Sequence, residues 1–314
     1  MNPLQPFIDQ HGAFILDGGL ATQLEARGFD LNDTLWSAKL LQEAPEVIQQ
    51  VHADYLWAGA DCVITASYQA TLAGFQARGA TEAEAIQLLQ RSVRLAQAAR
   101  DAFWAVAPAG RLRPFVAASI GPYGAYLANG AEYTGDYDLD ENGLVDFHRR
   151  RWQLLAACQP DLLACETIPS LPEARAFMRL LAETPKLGAW FSFSCQNGRL
   201  ISDGTPIATC AKLLDKVAQV HALGINCTAP RHIPSLIQEV RRVTQKPIVV
   251  YPNSGEEYDP VNKVWLGESV PAEFGTYSRE WRKLGAAAIG GCCRTTPAHI
   301  RQIRDRFWHR GVAD

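Results

Sequence analysis

Short apolar runs of strand character recur down the whole chain, each followed by a turn and then by residues spaced for one face of a helix. This is the pattern of repeated βα units. Eight such runs occur: Phe14 to Asp17, Cys62 to Thr65, Phe115 to Ser119, Leu162 to Glu166, Trp190 to Ser194, Ala222 to Asn226, Ile248 to Tyr251 and Ala287 to Gly290. The segments between them carry helix-start chemistry, in which a side-chain oxygen or a proline serves the unpaired amides of the first turn. Thr81 with Glu84 and Ser170 with Glu173 have capping-box spacing. Thr205-Pro206 and Thr296-Pro297 place proline at a first helical position, and Ala83 to Phe103 reads as a long amphipathic helix.

Eight βα units in an evenly filled chain fit an α/β fold of the (β/α)8 TIM-barrel type, with residues 1–314 as a single domain. A doubly wound open sheet is the main competitor. No GxGxxG follows the first strand, which weakens its dinucleotide-binding version. In a barrel, chemistry sits at the C-terminal ends of the strands. Those ends are Asp17-Gly18-Gly19, Thr65 to Tyr68, Ser119 to Tyr123, Glu166-Thr167, Asn226-Cys227, Asn253-Ser254 and Gly290 to Cys293, a set dense in polar groups, thiols and glycines. Two loops are long enough to act as lids: Gly121 to Asp140, with Tyr123, Tyr126, Tyr133 and Tyr137, and Pro252 to Phe274.

A formal charge of -3 spread over interspersed acids and bases lacks the basic stripe of a nucleic-acid binder, so small-molecule chemistry is the expectation. The N-terminal segment has no basic stretch followed by an apolar one, and no run is long enough to span a membrane. The expected location is the cytoplasm. Nothing in the sequence sets an oligomeric state.

In such a reducing compartment the eight cysteines are unsuited to disulfides. Cys62, Cys158, Cys165, Cys195 and Cys210 lie in or beside apolar stretches and suit small hydrophobic filler. Cys227 ends the sixth run in GINC, and Cys292-Cys293 follow the eighth in GGCC, so a barrel would bring three thiols to one mouth. Three thiolates suit a catalytic zinc, which keeps its fourth position open for water or substrate. A substrate thiol bound there stays deprotonated although a free thiol has a pKa of about 8.5. The anionic centre would also draw in a cationic methyl donor. From pattern alone, two other readings stand beside this one: three buried thiols at strand ends, or a redox pair at Cys292 and Cys293.

The segments DGGLATQLEARG (17–28), ITASYQAT (64–71), GPYGAYLANGAEYTGDY (121–137), LACETIP (163–169), SDGTP (202–206), GINC (224–227), YPNSGEEYD (251–259) and GGCCRTTPAHI (290–300) resemble the homocysteine S-methyltransferase family over nearly the whole chain. The likeness is nearest to its bacterial members that use S-methylmethionine. It implies a barrel in which Cys227, Cys292 and Cys293 hold Zn2+, with the homocysteine sulfur in the open position. By the same likeness, Glu166 holds the substrate ammonium, Asp17, Gly18 and Ser67 help to place its amino-acid end, and Trp36 packs on the methyl donor. Asn226 and Asn253 suit groups that steady the zinc ligands, and Tyr68, Tyr123, Tyr126 and Tyr133 are further candidates for donor contact.

Each residue also has a plainer reading. Asp17 suits a tight turn before glycines, Ser67 a turn cap, and Trp36 simple packing. His11, His52, His148, His221, His232, His299 and His309 fall away from strand ends and read as structural or solvated. The implied reaction moves a methyl group from S-methylmethionine, or S-adenosylmethionine, to homocysteine. Its alternatives are a donor such as betaine or another onium compound, and a non-enzymatic zinc or thiol redox sensor.

Overall fold

Each of the eight apolar runs forms a strand. The computed structural model describes residues 2–259, 264–266 and 269–308. The strands are β1 (Phe14–Ile15), β2 (Cys62–Ile64), β3 (Phe115–Ile120), β4 (Leu162–Ile168), β5 (Ala189–Phe193), β6 (Val220–Asn226), β7 (Ile248–Tyr251) and β8 (Ala286–Ile289). All pair in parallel, in the order β1-β8-β7-β6-β5-β4-β3-β2. A single bridge between Leu16 and Cys62 brings the first and last strands of that order together. With helices between successive strands, this is the (β/α)8 barrel.

Strands buried on both faces explain why the runs are continuously apolar rather than alternating. The period of two survives in where the side chains go. Phe14, Leu16, Phe115, Ala117, Leu162, Ala164 and Trp190 fill the interior, while Ile15, Ala118, Leu163 and Phe191 pack outward in the layer beneath the helices. Carried to the C-terminal ends, the same parity turns Ser119, Glu166 and Ser192 inward, where they meet one another and Tyr251. At the other end, Phe7 of the first helix (Gln5–His11) lies 5.4 Å from Phe115 and 6.2 Å from Phe14, ring centre to ring centre. Both phenylalanines begin their strands, so Phe7 and the fully buried Leu4 cork the barrel floor.

The β1–β2 seam is made differently from the rest. The Asp61 amide donates to Ile15 O at 2.7 Å. Beyond that, carboxylates replace carbonyls: Ile15 N donates to Asp61 Oδ2 at 3.0 Å and Ile64 N to Asp17 Oδ2 at 2.8 Å. Arg111 and Arg304, each 3.2 Å from Asp61, neutralise one of these buried acids.

Three local expectations need correction. Thr81 and Glu84 form the full reciprocal box that starts the Glu82–Trp104 helix. At Ser170 only half forms: its hydroxyl accepts from Glu173 N, but the Glu173 carboxylate turns into the core, where stronger donors wait. Pro206 is the N-cap of the Ile207–Asp215 helix rather than its first residue, whereas Pro297 does open its helix. The long loops also have structure of their own. Gly121 to Asp140 contains a short helix, Tyr123–Leu127, and a 3-10 turn, Ala131–Tyr133. Pro252 to Phe274 contains the antiparallel pair Glu257–Asp259 and Val264–Leu266, and residues 260–263 and 267–268 of it lie outside the described residues, as does His309. No helix among the described residues is long and apolar enough to cross a membrane.

Candidate metal centre

β6 and β8 flank β7, and the end of β7 holds both cysteine segments: Cys227 N donates to Tyr251 O at 3.3 Å and Cys292 N to Pro252 O at 2.7 Å. Cys227 has a left-handed backbone, φ 49, as do Thr167 (φ 57), which the Asn226 side chain meets, and Arg294 (φ 64), which follows Cys293. Each such residue costs on the order of 1–3 kcal/mol, so the surroundings must hold it. Asn226 supplies one restraint: its Oδ1 accepts from Thr167 N and its Nδ2 donates to Thr167 Oγ1, both at 2.7 Å. Arg294 is held by Thr22, whose hydroxyl accepts from its amide at 3.0 Å, and by Glu256 at 3.2 Å.

The sulfurs of Cys227, Cys292 and Cys293 lie within 4.8 Å of one another, with Cys227 and Cys293 3.7 Å apart. Metal–thiolate bonds of about 2.3 Å at tetrahedral angles put sulfurs about 3.8 Å apart, so the cluster fits a metal with little adjustment. The thiols already share charge unequally. Cys227 is held below the ordinary thiol range by hydrogen bonds from Cys292 and then Cys293, while those two thiols are pushed above it by the same contacts. The Tyr133 hydroxyl lies 3.5 Å from Cys227 Sγ.

Beneath the cluster sits Glu166, buried, its carboxylate accepting from Ser119 Oγ. Burial pushes its pKa up to about 7; hydrogen bonds from Ser119 and Tyr251 oppose the rise and the Cys227 charge adds to it. Asp17 is buried too and is also raised, by burial first, against the hydrogen bond from Ile64. Its carboxylate therefore joins the barrel seam and faces Glu166 at once. Ser67 is fully buried, and its proton goes to Ser119 O at 2.7 Å, with Thr65 Oγ1 at 2.6 Å. What remains of that hydroxyl is acceptor capacity, suited to an ammonium rather than a carboxylate. A Cβ on Gly18 would meet Thr295 Oγ1 at 2.8 Å and Tyr55 at 2.9 Å, so only glycine fits there.

Trp36 opens a 3-10 turn with φ 47 and lies edge-on to Tyr68, centroids 6.3 Å apart. Asn226 clamps Thr167 beside Glu166 and reaches the sulfurs only through the chain, which differs from the role read for it in sequence. Asn253 donates its amide to Thr228 O at 3.1 Å, and its side-chain oxygen is buried without a partner. It lines a cavity of about 240 Å³ beside Cys227 and Glu256.

Two features were missed in the sequence. Glu173, fully buried, accepts from Tyr123 N at 2.6 Å, from Tyr137 Oη at 3.0 Å and from His148 Nε2 at 2.8 Å. Arg151 donates to His148 Nδ1 at 2.8 Å and to Gly121 O at 2.6 Å. This Glu173–His148–Arg151 relay anchors the start and end of the Gly121 to Asp140 loop. The other is Glu132, in the 3-10 turn of that loop, whose Oε2 is buried and unpaired. A helix-start spacing and an unremarkable loop acid were the only local signals for them.

A (β/α)8 barrel with three thiols gathered at the C-terminal ends of its strands has the layout of the barrel enzymes, whose chemistry sits at that face, and comparison narrows this. Residues 14–307 match the homocysteine S-methyltransferase family profile, and the chain belongs to that family. It is 55% identical to homocysteine S-methyltransferase YbgG of Bacillus subtilis, over 99% of both chains. It is 50% identical to the homocysteine S-methyltransferase of Escherichia coli, over 97% of this chain and 98% of that one. Crystal structures of the E. coli homocysteine methyltransferase MmuM superpose closely: the oxidized form with TM-score 0.89 and the metallated form with 0.88, both 47% identical. They cover 98% and 97% of this chain respectively, and all of theirs.

Proposed function

We propose that this enzyme moves a methyl group from S-methylmethionine to the sulfur of homocysteine, with zinc held by Cys227, Cys292 and Cys293. The observation that carries the reading is the three-sulfur cluster at metal–thiolate spacing in the catalytic mouth. When bound, zinc supplies a site at which the homocysteine thiol stays ionised at neutral pH. The thiolate sulfur bonds to the methyl carbon as the carbon–sulfonium bond breaks. The bonding pair returns to the donor sulfur, leaving two neutral thioethers, both methionine. The thiol proton goes to solvent, and the chain need supply no general base.

What the chain does supply is placement. Glu166 takes the homocysteine ammonium, with Ser67 offering a second acceptor and the Asp17-Gly18 turn setting the depth. Trp36 and Tyr68 present ring faces and edges to the incoming cation. An in-line approach then needs only the correct seating of two amino acids.

Because Glu166 titrates near 7 and pairs with an ammonium only when ionised, homocysteine binding should weaken as the pH falls. KM for homocysteine is expected to rise toward tenfold per pH unit below about pH 7. Glu166→Gln should flatten that profile at a higher KM; an unchanged profile in the variant would remove Glu166 from the role.

The test of the whole reading is methionine formation by zinc-loaded protein given homocysteine with S-methylmethionine, S-adenosylmethionine or betaine in parallel. Turnover with the sulfonium donors at about one zinc per chain is the expected result. Turnover with betaine alone would overturn the donor assignment, and no turnover with any donor at full zinc loading would overturn the activity.

A further inference from the structure

Glu132 holds a carboxylate oxygen that is buried and has no hydrogen-bond partner. Leaving a buried acceptor unpaired is costly, more so when it is charged. The position is also fixed. Ser194 Oγ donates to the Glu132 carbonyl at 3.1 Å, and the helix holding Gly124 approaches so closely that a Cβ there would meet Glu132 N at 2.3 Å. Glu132 is therefore held where it is, not a stray surface acid turned inward.

Among the described residues no ion pair and no hydrogen bond reaches this oxygen. Burial raises the pKa of Glu132 to about 7, and Glu132 is the charged neighbour that acts most on Tyr68. The next residue, Tyr133, places its hydroxyl on Cys227 Sγ. An acid held at this mouth, next in sequence to the tyrosine that meets Cys227, has no counter-charge among the described residues, and a bound cation would supply one.

We infer that Glu132 selects the donor: its carboxylate takes the α-ammonium of an amino-acid methyl donor and so favours it over onium compounds with no N–H to give. The assignment rests on the S-methylmethionine reading above. A sulfonium or quaternary ammonium is positive but has no proton to donate, so it leaves the orphan oxygen unpaired. An ammonium satisfies both charge and hydrogen bond. The sulfonium end has its own partners in the thiolate cluster and the Trp36–Tyr68 rings, while Glu166 lies deeper with the acceptor amino acid. The two ammonium groups of the two substrates thus have separate carboxylates.

The experiment compares S-methylmethionine with 4-(dimethylsulfonio)butanoate, the same sulfonium without its amine, in zinc-loaded wild type and Glu132→Gln. The analogue is read as a substrate or, where it is not turned over, as a competitive inhibitor. Wild type should prefer S-methylmethionine by about tenfold to a hundredfold. In Glu132→Gln that preference should collapse to about unity, with KM for S-methylmethionine raised, kcat within about threefold, and both the analogue and the KM for homocysteine unchanged. Equal weakening of both compounds would reduce Glu132 to a general negative charge, no change would remove it from the site, and a rise in KM for homocysteine would give it to the acceptor. Each of these overturns the inference. A wild type that ignores S-methylmethionine instead overturns the functional reading beneath it, whatever the variant does.

Discussion

Replacing Cys292 by serine should abolish zinc binding and lower methyl transfer at least about a thousandfold, while the barrel stays folded. Metal activation of the acceptor thiol is worth several kcal/mol, and each factor of ten in rate is about 1.4 kcal/mol, which sets the size of the loss. Serine leaves a hard, protonated oxygen where the other two ligands are soft thiolates, so the remaining pair cannot hold the metal in a three-ligand site. The fold should be indifferent, because Cys292 lies past the end of β8 and belongs to no part of the apolar core. Circular dichroism and zinc stoichiometry on the same sample separate the two effects. Retained turnover at full zinc occupancy would sink the three-thiolate mechanism.

Glu173→Ala should be the most damaging substitution away from the sulfurs, destabilising the fold by about 3–5 kcal/mol. His148 is buried and its pKa is lowered to about 4, mainly by desolvation, so at neutral pH it is an uncharged bridge between Glu173 and Arg151. The network assigns the proton to Nε2, donating to Glu173, and leaves Nδ1 to accept from Arg151. Removing the carboxylate strands the buried guanidinium of Arg151, only 3% exposed, and frees Tyr123 N and Tyr137 Oη. Urea unfolding near pH 7 measures the loss. Glu173→Gln, which keeps an acceptor but loses the charge, should recover part of it. A change below about 1 kcal/mol for the alanine variant would mean that water replaces the missing oxygen. Because the relay holds both ends of the loop carrying Glu132 and Tyr133, activity per folded molecule should fall as well.

The strands and the sulfurs were legible in sequence for the same reason. Fully buried parallel strands need unbroken apolar runs, and the end of each run marks the catalytic face, which placed Cys227, Cys292-Cys293 and Glu166 at one mouth before any coordinates. Partners far apart in sequence were not legible. Ser170 and Glu173 have the spacing of a capping box, and one half of it forms, but the other half is outcompeted by His148 and Tyr123, residues 25 and 50 positions away. Asp17 looked like a turn residue or a substrate contact; that its carboxylate also closes the barrel against Ile64 depends on a strand 47 residues on. Asn226 was placed near the metal by its neighbour in sequence, yet its amide is spent on Thr167 of β4, two strands away. Glu132 gave no signal because a loop acid has none until its side-chain oxygen is seen buried without a partner.

The phenylalanine cork has a consequence for timing. With Leu4 and Phe7 sealing the floor, and Phe14, Phe115 and Trp190 filling the interior above them, the described residues leave ligands to come and go by the catalytic face. On the proposed function, a homocysteine seated low, on Glu166, would be overlaid by the donor arriving after it, and the order of entry would then be set by architecture rather than by relative affinity. Departure would reverse it, the spent donor clearing first and the newly methylated acceptor waiting behind it. With S-methylmethionine as the proposed donor, both products would be methionine, and only an isotope could tell them apart. When the homocysteine carries the label, the labelled methionine should be the later of the two to leave.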